Sequence, residues 1–334
     1  MSTKDIILVD IKFLGDIMRE KILTMLRVGN EISGEAISKD LQISRAAVGK
    51  HIQVLRGMGY EISATPSRGY QLLSVPDILN ETEIKAWLPA DTPWRIENHD
   101  ALISTNLRLR ELAAENAPEF QIVIAEAQSG GQGRLGRSWF SPAAEGLLMS
   151  ALFRPDIPPE SARLMTLTAA VSIAKGLENI GIPVGIKWPN DILSKDGKKL
   201  CGIRCEMHAD MDKVHWLIMG TGININNTSF PAELADTACS LWQITGKKYV
   251  RAEIAAAVLK HLFASYQLLL AGNFGKLQQE WLARAVGLGQ QVCVNNSGNI
   301  ESGIALDLDE DGYLLLKTTQ GIKKIIAGDM TINV

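Results

Sequence analysis

A chain of 334 residues is too long for one small hydrophobic core, and its length predicts two or three domains. Hydrophobic residues make up 46% of the sequence and charged residues 21%, which is ordinary for a globular protein. The formal net charge of -3 excludes a uniformly basic protein, so any binding of nucleic acid requires a local basic patch.

The sequence has no apolar run of the roughly 18 residues that a membrane span needs. Met1–Asp5 lack the charged-then-apolar order of a signal peptide. Four cysteines are scattered along the chain, at Cys201, Cys205, Cys239 and Cys293. Without paired Cys-x-x-Cys spacing they favour buried reduced thiols over a zinc site. These features predict a soluble cytoplasmic protein with no membrane partner.

Residues 17–56 have the spacing of short helices. A first apolar face consists of Ile17, Ile22, Leu23, Leu26 and Val28. Ser33 and Ser44 each precede a further helical pattern and are predicted N-caps. The third helix presents polar and basic residues, namely Arg45, Lys50, His51, Gln53 and Arg56. Two short helices around a tight turn, the second one basic, are typical of a helix-turn-helix motif.

A hairpin is predicted directly after this motif. Segments 60–64 and 69–73 resemble strands and flank the turn Thr65–Arg68, which carries a basic residue and would form the wing of a winged helix. Residues 44–70 contain four Lys or Arg residues and one acidic residue. This positive balance favours DNA binding over a docking module. One such patch binds DNA weakly at physiological salt, so specific binding requires a dimer reading two half-sites. The predicted DNA contacts are Ser44, Arg45, Ala46, Lys50 and Arg68.

The remaining chain has two further patterns. After a linker rich in Pro and Asp (75–98), strand patterns occur at 121–126, 146–153, 184–188 and 214–219, and helical patterns at 161–180 and 251–271. From residue 287 onward, short alternating strands with turns at 296–299 and 309–313 predict a small β-barrel. The expected domains are residues 1–75, 76–285 and 286–334.

The segment from Gly131 to Gly136 satisfies the G-x-G-x-x-G pattern of a dinucleotide-binding turn. Pro142 follows too soon for the helix that such a turn opens, and no acidic residue is placed to hold a ribose. Arg134 and Arg137 instead offer two guanidinium groups to phosphate or carboxylate oxygens. We call residues 129–139, which include this segment, the glycine loop. Its glycines and arginines predict a mobile cover over an anionic ligand. The alternative is a solvent-exposed basic loop.

Four segments occur in the order and spacing found in biotin–protein ligases: Gln128–Pro142, Lys187–Asp191, Lys199–Ile203 and Gly220–Asn224. The predicted winged helix is similar to that of the bifunctional ligases that also repress the biotin operon. Each segment alone is a weak signal, whereas the motifs together are highly specific, and the resemblance covers nearly the whole chain. The resemblance implies an α+β multidomain protein with a winged helix-turn-helix, a central class II synthetase-like α/β ligase domain and a small C-terminal SH3-like β-barrel.

An ATP-dependent, AMP-forming ligase with Mg²⁺ as cofactor is the activity that this resemblance implies. It would convert biotin and ATP into biotinyl-5'-AMP and transfer biotin to a lysine of the biotin carboxyl carrier protein of acetyl-CoA carboxylase. The resemblance also implies a homodimer, formed with biotinyl-AMP bound, that binds operator DNA and represses biotin-synthesis genes.

The same resemblance assigns site residues. Biotin binding falls to Ser104, Thr105, Asn106, Gln128, Gly131, Gln132, Gly133, Arg134, Lys199, Gly202 and Gly220. ATP or adenylate binding falls to Arg137, Trp139, Lys187, Asn190 and Asn224. The catalytic set is Arg134, Arg137, Lys187, Lys199 and Asp191, with Asp191 also the metal ligand. Gln132 and Leu135 depart from the repressor-type loop, which has arginine at both positions, so the loop carries less positive charge.

Attack of a carboxylate on the α-phosphate of ATP brings two anions together, which explains a site rich in cations. Asp191 is a poor phosphate partner, and this favours metal binding over the alternative of a turn cap after Pro189. In the transfer step only about one lysine amine in 10³ is neutral at pH 7. Transfer therefore requires desolvation of the acceptor lysine or a base, and Asp191 is the hypothetical base.

Two other functions stay open. A transcriptional sensor could bind biotin without catalysis, although it would need no lysines to neutralise phosphate. A lipoate or octanoate transferase shares a related fold, but such enzymes lack the arginine-containing glycine loop and the Lys187–Asp191 segment.

Overall fold

The computed structural model of the protein describes residues 15, 17–27, 31–66 and 68–332. Its contacts divide into two compact units, residues 1–78 (unit 1) and 79–334 (unit 2). The predicted apolar position Val28 and the segment Met1–Asp5 lie outside the described residues. The domain boundaries expected near residues 75 and 285 stay predictions.

In the described part of unit 1, three helices precede an antiparallel hairpin, in the order α1 (17–27), α2 (Gly34–Leu41), α3 (Arg45–Gly57), β1 (Glu61–Thr65) and β2 (Gly69–Ser74). The Ser33 and Ser44 hydroxyl oxygens accept backbone N–H groups at 3.0 and 3.1 Å, as predicted for N-caps. Gln42 ends α2 in the left-handed region, with a φ of 53°, and turns the chain into α3. The helix-turn-helix prediction is confirmed.

An apolar core joins the helices of unit 1 to the hairpin, through Ile22, Leu23, Leu26, Ile37, Val48, Ile52, Leu55, Tyr60 and Ile62. The hairpin is also tied to the chain ahead of α2, because Tyr70 N donates to Ile32 O at 2.8 Å and Ile32 N to Tyr70 O at 2.9 Å. A Cβ on Gly69, whose φ is 110°, would lie 2.1 Å from Ile32 O. Glycine is therefore required where the hairpin meets the helices.

Unit 2 is built on a seven-stranded sheet with the order β3-β4-β5-β9-β8-β7-β6. Its strands are β3 (Arg95–Leu102), β4 (Gln121–Gln128), β5 (Gly146–Phe153), β6 (Gly185–Lys187), β7 (Asp191–Leu193), β8 (Lys199–Ala209) and β9 (Val214–Asn224). β3 and β4 are parallel, and the other neighbours are antiparallel. Each strand predicted between residues 121 and 219 overlaps one of these.

Helices cover both faces of this sheet. The α-helices of unit 2 are α4 (Glu81–Lys85), α5 (Thr105–Ala114), α6 (Arg163–Asn179), α7 (Leu241–Thr245), α8 (Arg251–Leu270) and α9 (Phe274–Leu282). On β4, Val123 packs with Leu109 of α5, whereas Ile122 and Ile124 belong to the larger cluster that includes α6 and α8. This alternation is the period of two expected of a strand buried on both faces. Among the described residues, none of the helices combines the length and apolar character that crossing a membrane would need.

The linker predicted at 75–98 is wrong for most of its length. α4 and the start of β3 lie in this stretch, and its buried residues Leu79, Ile84, Leu88, Trp94 and Ile96 belong to the core of unit 2. The Trp94 ring meets Phe120 edge to face at 5.3 Å. A high content of Pro and Asp concealed the apolar residues because they are spaced too irregularly to give a helical or strand period.

Five antiparallel strands end the chain: β10 (Gln291–Asn296), β11 (Asn299–Leu308), β12 (Leu314–Thr318), β13 (Gly321–Ile325) and β14 (Asp329–Ile332). Their order is β13-β12-β11-β10-β14, and no ladder joins β13 to β14 in the described residues. The antiparallel β domain is therefore confirmed, whereas a closed SH3-like barrel is not. Both predicted turns are observed, with Ser297 and Gly298 at φ values of 51° and 96° in the first.

Candidate active site and DNA interface

Two adjoining cavities lie at one edge of unit 2. The smaller, of about 60 Å³, lies between the first turn of α5, the end of β4 and the β8–β9 hairpin. The larger, of about 510 Å³, extends from the glycine loop to the turn after β6 and to β14. Both cavities share the lining residues Gly133, Arg134, Trp139, Asn190 and Lys199. They are therefore adjacent parts of one site.

The predicted site residues lie at these two cavities. The smaller is lined by Ser104, Thr105, Asn106, Gln128, Gln132, Gly133, Arg134, Lys199, Gly202 and Gly220. The larger is lined by Arg134, Arg137, Trp139, Lys187, Asn190, Asp191, Lys199 and Asn224. Gly131 instead lies beside the smaller cavity, where its carbonyl accepts from Trp139 N at 2.9 Å and a Cβ would lie 2.8 Å from Gln128 Nε2.

A buried polar network forms the inner wall of the smaller cavity. Thr105 N and Thr105 Oγ1 donate to Gln128 Oε1 at 2.6 and 3.0 Å. The fully buried Ser150 Oγ lies 2.7 Å from Thr105 Oγ1 and 2.6 Å from Asn106 Oδ1. Each of these groups is uncharged, and buried groups that satisfy one another in this way hold their side chains in fixed positions.

Close approach explains the glycines of the β8–β9 hairpin. Gly202 and Gly222 lie opposite each other, and a Cβ on Gly222 would come within 2.5 Å of the Trp139 ring. A Cβ on Gly220 would lie 2.2 Å from Asn106 Oδ1. Lys199 Nζ is 5.7 Å from the Trp139 ring centroid, within the range of a cation–π contact. The glycines thus let the indole and the amide reach the strand surface.

The glycine loop folds back on itself as a tight hairpin. Trp139 N donates to Gly131 O at 2.9 Å, and Gly133 N donates to Arg137 O at 2.7 Å. Leu135 and Gly136 form its tip with positive φ values of 55° and 73°. No helix follows, and β4 pairs antiparallel with β5, the strand after the loop. The loop is therefore no Rossmann turn, in agreement with the prediction.

Cationic side chains gather in the larger cavity. Lys187 Nζ and Lys199 Nζ lie 3.4 and 2.7 Å from the two carboxylate oxygens of Asp191, which is on the neighbouring strand β7. Arg134 Nη1 donates to Asn190 Oδ1 at 3.1 Å. These groups come from three separate segments, so the fold brings together what the sequence spaces up to 65 residues apart.

The C-terminal strand supplies a wall that the sequence did not predict. Asp329 on β14 pairs with Arg137 and lies 3.5 Å from Arg134 Nη1. Arg134 Nη1 also donates to Gly328 O at 3.3 Å. The C-terminal β domain therefore contributes directly to the cavity and holds both arginines of the glycine loop.

The donor set at Asp191 fits a magnesium ion that is shared with a phosphate. Asp191 Oδ1 is buried and makes no well-aligned hydrogen bond within the described structure, although Lys199 Nζ lies 2.7 Å away. No group of three or more His, Cys, Asp or Glu among the described residues could hold a metal. Mg²⁺ commonly binds one or two carboxylates together with substrate phosphates and water, which matches this single carboxylate.

All four cysteines lie in the described residues and none forms a disulfide; Cys201 and Cys239 are buried, and Cys205 and Cys293 are half-buried. Burial raises the pKa of the Cys201 thiol far above its ordinary value and that of Cys205 to about 11. Both thiols next to the site are therefore protonated at neutral pH and poor nucleophiles.

Several residues of the site were missed from the sequence. Ser150 lies in a fully buried strand and carries no motif, and Asp329 lies 138 residues beyond Asp191. Arg204 and Glu206 lie two apart on β8 and hence on one face. The spacing of these two opposite charges, directly after the Lys199–Ile203 segment, was the sequence signal that could have placed them near the site.

The predicted DNA contacts lie on one helix start and one hairpin tip of unit 1. Ser44, the N-cap of α3, is exposed, as are Arg45, Ala46 and Lys50 on α3 itself. Arg68 is exposed at the hairpin, with Glu31 3.7 Å from its guanidinium. Arg56 is also exposed on α3, and its guanidinium donates to Ile62 O at 2.6 and 2.9 Å, which ties α3 to β1.

Comparison with known proteins matches three family models to the chain. Residues 101–224 match the biotin/lipoate A/B protein ligase family, residues 18–71 match a helix-turn-helix domain, and residues 287–332 match the biotin protein ligase C-terminal domain. A helix-turn-helix unit joined to a ligase domain with a cation-lined cavity defines the class, a ligase that also carries a DNA-binding module.

The chain belongs to the biotin–protein ligase family, among the bifunctional ligase/repressors. It is 41% identical to the bifunctional ligase/repressor BirA of Bacillus subtilis over 92% of this chain and 95% of that protein. It is 31% identical to the biotin–[acetyl-CoA-carboxylase] ligase of Mycobacterium tuberculosis over 68% of this chain and 85% of that one. The biotin protein ligase from Aquifex aeolicus, solved with biotin and ATP, superimposes with a TM-score of 0.63 at 30% identity, covering 72% and 98% of the two chains.

Proposed function

We propose that the chain joins biotin to ATP as biotinyl-5'-AMP, with release of pyrophosphate, and transfers biotin from this adenylate to a lysine of a biotin carboxyl carrier domain. One observation carries the proposal. A pocket whose inner wall is polar, buried and uncharged opens directly into a cation-lined cavity, and Arg134 and Lys199 line both. This arrangement suits a ligand with an uncharged ring at one end and a carboxylate that must meet a phosphate at the other.

In the proposed site the polar network holds the biotin ring. Thr105, Gln128 and Asn106 offer hydrogen-bonding groups that are already ordered by one another, so little entropy is lost when the ring binds. The smaller cavity encloses only about 60 Å³, and Trp139 lies against its glycine floor. Entry of biotin therefore requires a displacement of the glycine loop, which then closes over the ligand.

The cations bring two anions together. Lys199 and Arg134 line both cavities, and the position of Lys199 suits contact with both the biotin carboxylate and the α-phosphate, while Lys187 lines only the larger cavity. Fixed charges in a site shielded from water stabilise developing charge without reorganising at the moment of reaction. Asp191 keeps the two lysines in place and would hold Mg²⁺ together with the phosphates. The bound ion would add positive charge at the leaving pyrophosphate.

Transfer from the adenylate needs no further activation of the acyl group. The acceptor lysine must lose a proton, and we assign its activation to desolvation at the cavity mouth, with Asp191 as the candidate base. An Asp191→Asn variant that forms adenylate slowly but transfers preformed adenylate at the full rate would exclude Asp191 as the base.

Repression is proposed to depend on a dimer. The exposed basic face of α3 and the hairpin tip suit DNA backbone and base contacts. Two such faces, brought together when biotinyl-AMP favours dimerisation, would read two half-sites of operator DNA in front of biotin-synthesis genes. A ligand shifts this equilibrium only through its differential affinity for the two states. Equal dimer constants in analytical ultracentrifugation with and without biotin and MgATP would exclude this coupling.

The enzymatic proposal is tested with labelled biotin, MgATP and a biotin carboxyl carrier domain from acetyl-CoA carboxylase. Label should enter the carrier only when all components are present, and a carrier with its acceptor lysine changed to arginine is the control. DNA binding is titrated in parallel with and without biotin. Biotin binding without incorporation would instead indicate a transcriptional sensor, and incorporation of octanoate in place of biotin would indicate a transferase.

A further inference from the structure

Arg204 reaches from the sheet to the underside of the glycine loop. It lies on β8, opposite Gly220 of β9, and its side chain is 28% exposed. Arg204 Nη1 donates to Gln132 Oε1 at 3.0 Å and to Gly133 O at 3.2 Å. Backbone hydrogen bonds from Ser129 N to Leu102 O and from Gly130 N to Ile103 O hold the start of the loop, and Arg204 joins its next residues to β8.

Glu206 fixes the other end of the same guanidinium. Its Oε1 lies 3.1 Å from Arg204 Nε and accepts from Asn106 Nδ2 at 3.0 Å, while Oε2 pairs with Arg110. Burial alone would raise the pKa of Glu206, but hydrogen bonds from Asn106 and Arg110 and the charge of Arg204 lower it overall. Glu206 is therefore a carboxylate at neutral pH and a stable anchor.

These contacts form a continuous chain from the buried pocket to its cover. Ser150 contacts Asn106, Asn106 contacts Glu206, Glu206 holds Arg204, and Arg204 holds the loop at Gln132. Gln132 has no positive charge of its own, so at this point of the loop the guanidinium comes from β8 below it.

We propose that Arg204 is a positioning residue that keeps the glycine loop closed over the biotin end of the site and thereby slows the escape of biotinyl-AMP. This proposal rests on the proposed function. It requires both ends of the guanidinium, one on Glu206 and one on the loop. Lysine, with a single ammonium group, cannot serve both ends at once and should not substitute.

The experiment measures the dissociation rate of preformed biotinyl-AMP by a chase with unlabelled ligand, in the full chain. Arg204→Ala should release the adenylate about tenfold faster, the effect of losing one hydrogen bond from a charged donor. Arg204→Lys should behave like the alanine variant. The rate of transfer from bound adenylate to the carrier should change less than about threefold, because Arg204 does not contact the reacting atoms.

Two comparisons separate positioning from general destabilisation. Arg110→Ala removes the other arginine on Glu206 without touching the loop, so it should leave the dissociation rate unchanged. Gln132→Ala should speed dissociation in the wild-type background but add nothing to Arg204→Ala, as expected of two groups in one contact. An unchanged dissociation rate in Arg204→Ala, or an equal increase in Arg110→Ala, would overturn the inference. A wild-type chain that forms no adenylate would overturn the proposed function instead.

Discussion

The inner wall of the smaller cavity differs from the larger cavity in the kind of polar group that it presents. At the biotin end, uncharged groups of Thr105, Gln128 and Ser150 satisfy one another in a buried network. At the nucleotide end, Lys187, Lys199 and Arg134 face a wide cavity, and their present partners are the carboxylates of Asp191 and Asp329.

This difference follows from the ligands that each end would take. An uncharged ring is selected by a few hydrogen bonds in fixed positions, since an unmatched buried polar group costs about 1–3 kcal/mol. A polyphosphate is attracted by charge and requires less exact placement, so longer and more mobile cations serve. The contrast predicts that changes at the nucleotide end reduce rates most, and that changes at the biotin end mainly reduce affinity.

The largest effect is expected for Lys199→Ala. Removing one fixed positive group from a site of this kind typically slows chemistry about 10²- to 10³-fold, so adenylate formation should fall by that factor at saturating biotin and ATP. Pyrophosphate release in a single turnover measures it. Lys195→Ala, an exposed lysine four residues earlier, is the matched control and should retain the full rate. A change in the Michaelis constants alone would show that Lys199 contributes to substrate binding and not to the chemical step.

Ser150→Ala should chiefly weaken biotin binding. The change leaves Asn106 Oδ1 with one hydrogen-bonding neighbour fewer, and loss of such a buried contact weakens binding about tenfold. Isothermal titration with biotin measures this, and the rate at saturating biotin should stay within about threefold of wild type. Ser172→Ala removes a buried hydroxyl that bonds Thr168 O within α6, so it should leave biotin affinity unchanged. An equal loss of affinity in both variants would show that the buried polar network has no specific role in biotin binding.

The comparison of charged with uncharged binding surfaces extends to the predicted DNA-binding face of unit 1. Arg45→Ala or Lys50→Ala should weaken operator binding several-fold and lower the slope of log affinity against log salt by about one each, if both side chains contact phosphate. Fluorescence anisotropy over a salt series tests this. Lys21→Ala changes an exposed lysine on α1, outside the predicted contact set, and serves as the control. An unaltered salt slope in the α3 variants would place the DNA interface elsewhere.

The smallest effect concerns pH. Because the pKa of Glu206 is lowered in the folded protein, its contribution to stability is present above the ordinary glutamate value of 4.5 and is lost as pH falls through the lowered value. The free energy of unfolding of wild type should therefore fall toward that of Glu206→Gln between about pH 5 and 3, by about 1 kcal/mol or less. Urea titrations across this range measure both proteins. If the difference in the free energy of unfolding between the two proteins stayed constant over this range, Glu206 would not contribute to the loss of stability in acid.

Local patterns predicted much of the fold. The N-caps at Ser33 and Ser44 and the periodicity of α6 and α8 depend on residues within a few positions of one another, so they can be read directly. The linker at 75–98 failed because its buried residues are recognised only by what packs on them, such as Phe120 against Trp94. The closed barrel was inferred from strand spacing, which does not determine whether the first and last strands of a sheet pair.

The sequence by itself determined the segments that meet in the site, since glycines, lysines and a Trp-Pro-Asn-Asp run keep their order whatever the fold. Only the tertiary structure decided their partners. It brought Asp329 to the glycine loop and linked Arg204 to Gln132. Such contacts join residues about 70 to 190 positions apart, and Coulomb attraction and hydrogen bonding act over a few ångströms of space rather than along the chain.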